Sequence, residues 1–250
     1  MIAISVKNLN VSYHGDEAVR NISFSLESGN LVGVIGPNGA GKTTFLRILA
    51  TLSRPSLGEV SIAGFPLPTQ AAAVRRRLGV VTHLPLLYGD LTAEENLRFY
   101  GRLYSLDSLN ARITEVLKLV GLFERRFDLV RTFSRGMQQR LAIGRAVLHD
   151  PEVILFDEPH TGLDQEACVM LDNVLREVAA RGRTVVMTSH DLMRVSELAS
   201  RFDVLSNGVI VASATREQLN PDQLLAFYRQ SVQQNDHSNP ARLPGHNWMT

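Results

Sequence analysis

The chain has 250 residues, 26 Lys and Arg against 25 Asp and Glu, a net charge of +1, 44% hydrophobic residues and one cysteine. This balance fits a folded chain with a substantial core, as one large domain or two small ones, and excludes a disordered or fibrous one. It gives no basic excess for binding nucleic-acid phosphates, no run of about 18 apolar residues for a membrane span, and no second thiol for an intrachain disulfide.

The first residues lack a charged start followed by an apolar stretch, so no secretory signal is expected and a reducing cytosol fits. Residues Ile2 to Val11 alternate apolar and polar, as a half-buried strand does, and Tyr13 to Asp16 reads as a turn. Ile22 to Leu26 alternates again, and Ser28-Gly29-Asn30 turns the chain into the apolar strand Leu31-Val32-Gly33-Val34-Ile35. Then comes Gly36-Pro37-Asn38-Gly39-Ala40-Gly41-Lys42-Thr43-Thr44, which fits G-x-x-x-x-G-K-[ST] and opens an apolar helical pattern through Ala50. Strand, glycine-rich loop and helix is the context of a phosphate loop. Its glycines let backbone N–H groups close round an anion, and the helix start adds unpaired N–H groups and a positive dipole end. Lys42 can reach the β- and γ-phosphates, and the Thr43 hydroxyl can hold Mg²⁺.

Gly58 to Gly64 is a further short strand between glycines. The pattern changes near Leu84 and is mostly helical to about Leu148. Thr92-Ala93-Glu94-Glu95 resembles a capping box opening a helix to Tyr104, a second helix covers about Asn110 to Val120, and a third runs from Ser134 to about Leu148. The rhythm then returns to strands at Val153–Phe156 and Thr184–Met187, with a helix from Gln165 to Ala180 between them and a short one after Asp191. Asp203-Val204-Leu205 and Val209-Ile210-Val211, split by Asn207-Gly208, read as a hairpin. Cys168 falls in a helical pattern and reads as a small packing side chain. Residues 231–250 are polar and are expected to form a loose tail.

Further chemistry stands at strand ends. Val153 to Phe156 leads into Asp157 and Glu158. A metal–nucleotide site needs one carboxylate for Mg²⁺ and one base for the attacking water; Asp157 suits the first task and Glu158 the second. His190 ends the strand from Thr184 and leaves the same end of a parallel sheet, which places it to donate to a γ-phosphate; a lone histidine can equally be structural. Ser134, an N-cap, with Gly136 makes a second anion-binding helix start in a chain with one phosphate loop; a simply capped helix is the alternative.

Taken together, these motifs resemble the ATPase cassette of ABC transporters over about Ala3 to Arg216. Ser134-Arg135-Gly136-Met137 resembles the family's signature, usually LSGGQ, but departs at Arg135 and Met137. VILFDE matches the Walker B strand, Gly162 to Asp164 the D-loop, and the segment at His190 the switch-histidine loop. Tyr13 falls where the family stacks an aromatic ring on adenine. The resemblance implies an α/β P-loop NTPase over residues 1–230, with a RecA-like core, an N-terminal antiparallel β-subdomain and a helical insertion at about 84–148. It implies ATP and Mg²⁺ as cofactors, hydrolysis with Glu158, His190 and Lys42 as catalytic residues, and nucleotide contacts from Tyr13 and Gly36 to Thr44. It also implies a second copy or a paralogous cassette whose signature (Ser134, Arg135, Gly136, Met137) contacts the ATP across the dimer, with D-loop residue Asp164 nearby. The Mg²⁺ contacts would be Thr43, Asp157 and, at the position where the family has glutamine, His83. A separate transmembrane permease would hold the cassette peripherally at the cytoplasmic face of the membrane.

The segments THLPLLYGDLTAEENLRFYGRLY and RTFSRGMQQRLAIGRAVLHDPE look most like the cytochrome c biogenesis haem exporter cassette; cassettes exporting drugs, polysaccharides or lipids share such signatures and are the alternative. An ABC ATPase associated with nucleic acid is the alternative of another class. It would carry a coiled-coil insertion or paired cassettes, and no nucleic-acid partner is expected. A nucleotide-binding regulator without turnover is a third; Glu158 and His190 argue against it.

Overall fold

The computed structural model describes residues 1–13, 15–82 and 84–238. Strands β1 (Ile2–Tyr13) and β2 (Asp16–Glu27) pair antiparallel, and β3 (Leu31–Ile35) leads into helix α1 (Lys42–Leu49). Strands β4 (Leu57–Ile62) and β5 (Phe65–Leu67) follow, then α2 (Ala71–Arg75) and β6 (Leu78–Val81). The helical part holds α3 (Ala93–Leu103), α4 (Leu109–Leu119) and α5 (Arg135–Val147). The chain then runs through β7 (Val153–Asp157), α6 (Gln165–Ala180), β8 (Thr184–Ser189), α7 (Leu192–Leu198), β9 (Arg201–Ser206), β10 (Val209–Thr215) and α8 (Pro221–Ser238).

Two sheets result. One is antiparallel, in the order β2-β1-β4-β5; the other has the order β10-β9-β3-β8-β7-β6, parallel except at β10. Each of β3, β7 and β8 is buried along its whole length, which is why they read as continuous apolar runs. Their parallel pairing brings the loops after β3, β7 and β8 to one sheet edge, where ligands of open α/β sheets bind. The architecture is the expected one: a largely parallel core sheet, an antiparallel subdomain and a helical insertion.

Packing holds α1 in place. Its eight residues are too few for a stable isolated helix, which needs about 12–15. Phe45, Leu46, Ile48 and Leu49 are buried between the two sheets, and Phe45 meets Phe24 edge to face at 5.4 Å. Burial of each such side chain contributes about 1.5–3 kcal/mol, more than helix propensity supplies over the whole segment. In the insertion, Thr92 and Glu95 form the expected reciprocal cap, and Ser134 caps α5 by accepting from Met137 N–H at 3.3 Å. Cys168 is buried, and burial raises its thiol pKa.

Helix α8 corrects one expectation. The tail expected from residue 231 begins inside a helix that continues to Ser238. Leu224, Phe227, Tyr228 and Val232 face the core at helical spacing, and the polar residues between them mask that stripe in a composition reading. Residues 239–250 lie outside the described part.

His149, just past α5, stacks on Tyr104 with centroids 3.8 Å apart and rings 2° from parallel. Burial lowers its pKa from 6.5 to about 4. The unfolded chain therefore takes up this proton first, so stability is fully present above about pH 6.5 and is lost as pH falls towards 4. We expect His149→Phe, which keeps the stack, to remove about 2 kcal/mol of the stability lost between pH 7 and pH 5. Urea midpoints of both proteins at the two pH values measure it; parallel losses would show that His149 does not contribute.

Candidate active site

A cleft of about 580 Å³ opens where β3 ends, lined by Tyr13, Pro37 to Thr44, Glu158 and the chain at Asp16–Ala18 and Asn207–Gly208. Two glycines shape it. A Cβ at Gly36 would stand 2.1 Å from the Leu205 carbonyl oxygen. Gly41 has φ +103°, and a Cβ there would lie 2.6 Å from the Ala18 carbonyl oxygen. Both positions thus require glycine sterically.

Lys42 is buried. Its Nζ donates to the carbonyls of Gly36 (2.7 Å) and Pro37 (3.3 Å) and lies 3.6 Å from Glu158 Oε1. Asp157, at the end of β7, is also buried, and its Oδ1 accepts from Thr43 Oγ1 at 3.3 Å and Thr188 Oγ1 at 2.7 Å. Glu158 has φ +50°, a left-handed conformation that non-glycine residues hold only where the surroundings impose it. Its N–H donates to Thr188 Oγ1 at 3.1 Å, and its Oε2 lies 2.7 Å from His190 Nδ1. Lys42, Asp157, Glu158 and His190 therefore meet although they come from three strand ends.

The carboxylate and hydroxyl of Asp157 and Thr43 fit a hard cation that takes oxygen ligands and completes its shell with phosphate and water. Among the described residues no cluster of three or more His, Cys, Asp or Glu side chains forms a self-contained metal cage.

Ser134, Arg135, Gly136 and Met137 do not line the cleft. They form the start of α5, where the Arg135 guanidinium lies against Gly162 and Gly136 packs close to Ala167. Asp164 caps α6 by accepting from Ala167 N–H at 2.8 Å. His83 lies outside the described residues.

Sequence reasoning missed Asp16, Glu17, Ala18, Asn207 and Gly208 as parts of the cleft. The Asn207-Gly208 hairpin turn was legible, but not that it docks on the phosphate loop through Gly208 N–H to Ala40 O at 2.9 Å. Arg20 holds the turn from the other side, with Nη2 donating to Asn207 O at 2.5 Å. Thr188, the support of Asp157, carried a signal only as a hydroxyl one turn of strand before His190.

Comparison with known proteins adds the family. The ABC transporter family model matches residues 19–161. The chain is 38% identical over 206 residues to the ABC transporter ATP-binding protein NatA of Bacillus subtilis (strain 168), covering 81% of this chain and 84% of NatA. It is 35% identical over 218 residues to the linearmycin resistance ATP-binding protein LnrL of the same organism, covering 86% and 70% of the two chains. The Nod factor export ATP-binding protein I of Burkholderia orbicola (strain AU 1054) is also 35% identical, over 86% of this chain and 72% of its own. Among solved structures, an ATP-binding subunit of an ABC transporter superposes with a TM-score of 0.81 at 29% identity, over 91% of this chain and 99% of that one. A dimeric ATP-binding cassette in a post-hydrolysis state with ADP and Pi superposes with a TM-score of 0.78 at 27% identity, over 85% and 98%. The family match over residues 19–161 and the identity to these relatives show that the chain belongs to the ABC transporter family, as an ATP-binding cassette.

Proposed function

We propose that this chain binds and hydrolyses ATP with Mg²⁺ as the cassette of an export complex, working with a separate membrane permease and a second cassette. The observation that carries this reading is the convergence of Lys42, Asp157, Glu158 and His190 beside the glycine loop. Lys42 exchanges backbone and carboxylate oxygens for those of the β- and γ-phosphates, and backbone N–H groups of Gly39 to Thr44 hold the rest. Tyr13, at the rim, stacks on the base. Thr43 and Asp157 would hold Mg²⁺, which would supply neutralisation of phosphate charge; His83 is the further candidate for this shell. Glu158 accepts the proton of the attacking water, and His190 orients Glu158 and donates to the γ-phosphate. Ser134 to Met137 stand outside the cleft, which suits contact with the nucleotide of a second cassette, with Asp164 placed beside that boundary.

Export is favoured by the names of the Nod factor export and linearmycin resistance relatives. These names favour a cassette of a drug, polysaccharide or lipid exporter over haem export, to which they lend no support. ATP turnover by the purified chain, alone and with its permease, tests the function. No turnover in either setting would reject it in favour of a regulator.

For the permease we expect contact at the segment after β6. Leu84, Leu86 and Tyr88 are each about half exposed, and Tyr88 meets exposed Phe99 edge to face at 5.0 Å. Fully buried Asn96 clamps this segment, its Oδ1 accepting from Tyr88 N–H (2.8 Å) and its Nδ2 donating to Tyr88 O (3.0 Å). A contiguous apolar patch on a fixed backbone suits docking. Among the described residues no helix is long and apolar enough to cross a membrane, so such a patch is where peripheral attachment would act. Tyr88→Asp should cut co-purification with the membrane subunit at least about tenfold, a loss of about 1.4 kcal/mol or more, while ATP binding stays normal. Normal co-purification and transport would exclude Tyr88 from the contact.

A further inference from the structure

Behind the cleft lies a buried polar cluster that the roles above do not use. Asp172, on α6, has a side chain only 6% exposed. Its Oδ1 lies 2.7 Å from His160 Nε2, and its Oδ2 accepts from Arg194 Nη1 at 2.7 Å. The His160 side chain is only 8% exposed and stands two residues after Glu158. Arg194 is on the first turn of α7; its Nε lies 3.3 Å from Asp191 Oδ2, and its backbone N–H donates to Asp191 Oδ1. Asp191 directly follows His190. One carboxylate thus holds the loop that carries Glu158 and the helix start that carries His190.

The energetics point away from stability as the purpose. A buried ion pair recovers its desolvation cost poorly, and apolar side chains of similar volume are often as stable or more so. What the pair does supply is direction. The two oxygens of Asp172 are each committed to one partner, Oδ1 to His160 Nε2 and Oδ2 to Arg194 Nη1, so the carboxylate fixes both groups relative to α6. The loop after Glu158 has two further anchors: Gln139 Nε2 donates to Pro159 O at 3.1 Å, and Thr161 N–H donates to Glu158 O at 3.1 Å. His190 is largely exposed, so its ring is placed by its own backbone and by the 2.7 Å contact with Glu158. Holding that contact needs the two loops in a fixed relation, and α6 is the element between them.

We propose that Asp172 is a positioning residue for ATP hydrolysis, setting the Glu158–His190 contact through His160 on one side and Arg194 on the other. The proposal rests on the hydrolytic reading given above. Asp172→Asn is the direct variant, but it leaves Arg194 buried without its counter-charge and can cost folding. The double variant Asp172→Leu with Arg194→Met removes the pair together and keeps the volume. With the full chain, MgATP and both kcat and KM measured, the double variant, in which of the cluster's buried groups only the His160 ring loses its partner, should stay folded at the assay temperature and lose about 10- to 100-fold in kcat, as expected for groups displaced by about 1 Å. KM should stay within about twofold, because nothing in the cluster touches the phosphate loop. Arg194→Lys, which keeps the charge pair, should retain most of the turnover. If the double variant does not fold, Asp172→Asn assayed below its melting midpoint decides, with the same split expected. Parental kcat in a folded variant overturns the proposal, and so does a loss that KM shares and that follows the melting midpoint. Glu158→Gln run in parallel separates the two readings. If the parent chain itself does not turn over ATP, the hydrolytic reading fails; if Glu158→Gln turns over normally, Glu158 is not the base and the positioning role fails with that assignment; if Glu158→Gln is inactive while the Asp172 variants are normal, only the positioning role fails.

Discussion

Glu158→Gln is expected to reduce ATP turnover by about 10²–10⁴-fold and to leave ATP binding intact, the loss that removal of a positioned general base produces. The substitution keeps shape and hydrogen-bonding reach but not basicity. Glu158 Oε2 lies 2.7 Å from His190 Nδ1 and Oε1 lies 3.6 Å from Lys42 Nζ, so the carboxylate is held on both sides where the proposed base role needs it. An amide there still touches His190 and cannot take a proton from water. Because the residues at the start of α5 lie outside the cleft, a nucleotide that is bound but not cleaved should hold two chains together. Sedimentation with ATP and Mg²⁺ should show this variant as a dimer and the parent mainly as a monomer. A variant that binds ATP and stays monomeric would count heavily against a shared site; one that hydrolyses normally would remove Glu158 from the base role.

Lys42→Ala should weaken nucleotide binding by about 100-fold or more. The side chain is buried, with its charge balanced by two backbone carbonyls and a nearby carboxylate, and such a cation contributes charge-assisted hydrogen bonds of about 1.5–3 kcal/mol each to an anionic ligand. Loss of two of them corresponds to the stated factor. Glu158 also loses a partner, so its loop should loosen as well. Calorimetric titration with ATP and Mg²⁺ gives the affinity directly; binding within about threefold of the parent would mean that Lys42 does not face the phosphates.

The sequence by itself determined everything set by neighbours a few residues apart. The phosphate loop is one: Gly36, Gly41, Lys42 and Thr43 stand at a fixed local spacing, although the carbonyls that crowd Gly36 and Gly41, those of Leu205 and Ala18, come from far along the chain. The helix starts at Thr92 and Ser134 are another, since an N-cap acts within one turn. The run Gln165–Ala180 and the Asn207-Gly208 turn were legible for the same reason. Buried parallel strands announced themselves by apolar runs, and the order of the motifs along the chain is that of the family.

Tertiary structure alone decided what meets across the chain. Strand β8 pairs with β7 on one side and, over a separation of about 150 residues, with β3 on the other; the first pairing brings His190 to Glu158 and the second brings both to Lys42, which no motif does. The hairpin turn at Gly208 became part of the cleft only through its contact with Ala40. Helix α8 was hidden because four apolar residues at helical spacing bury well while the composition around them stays polar. The cluster of Asp172, His160 and Arg194 had no local signature at all. A buried charge is tolerable only where the fold delivers its partners, and side chains 12 and 22 residues from Asp172 are delivered by the packing of α6 against the loop after β7 and the helix after β8.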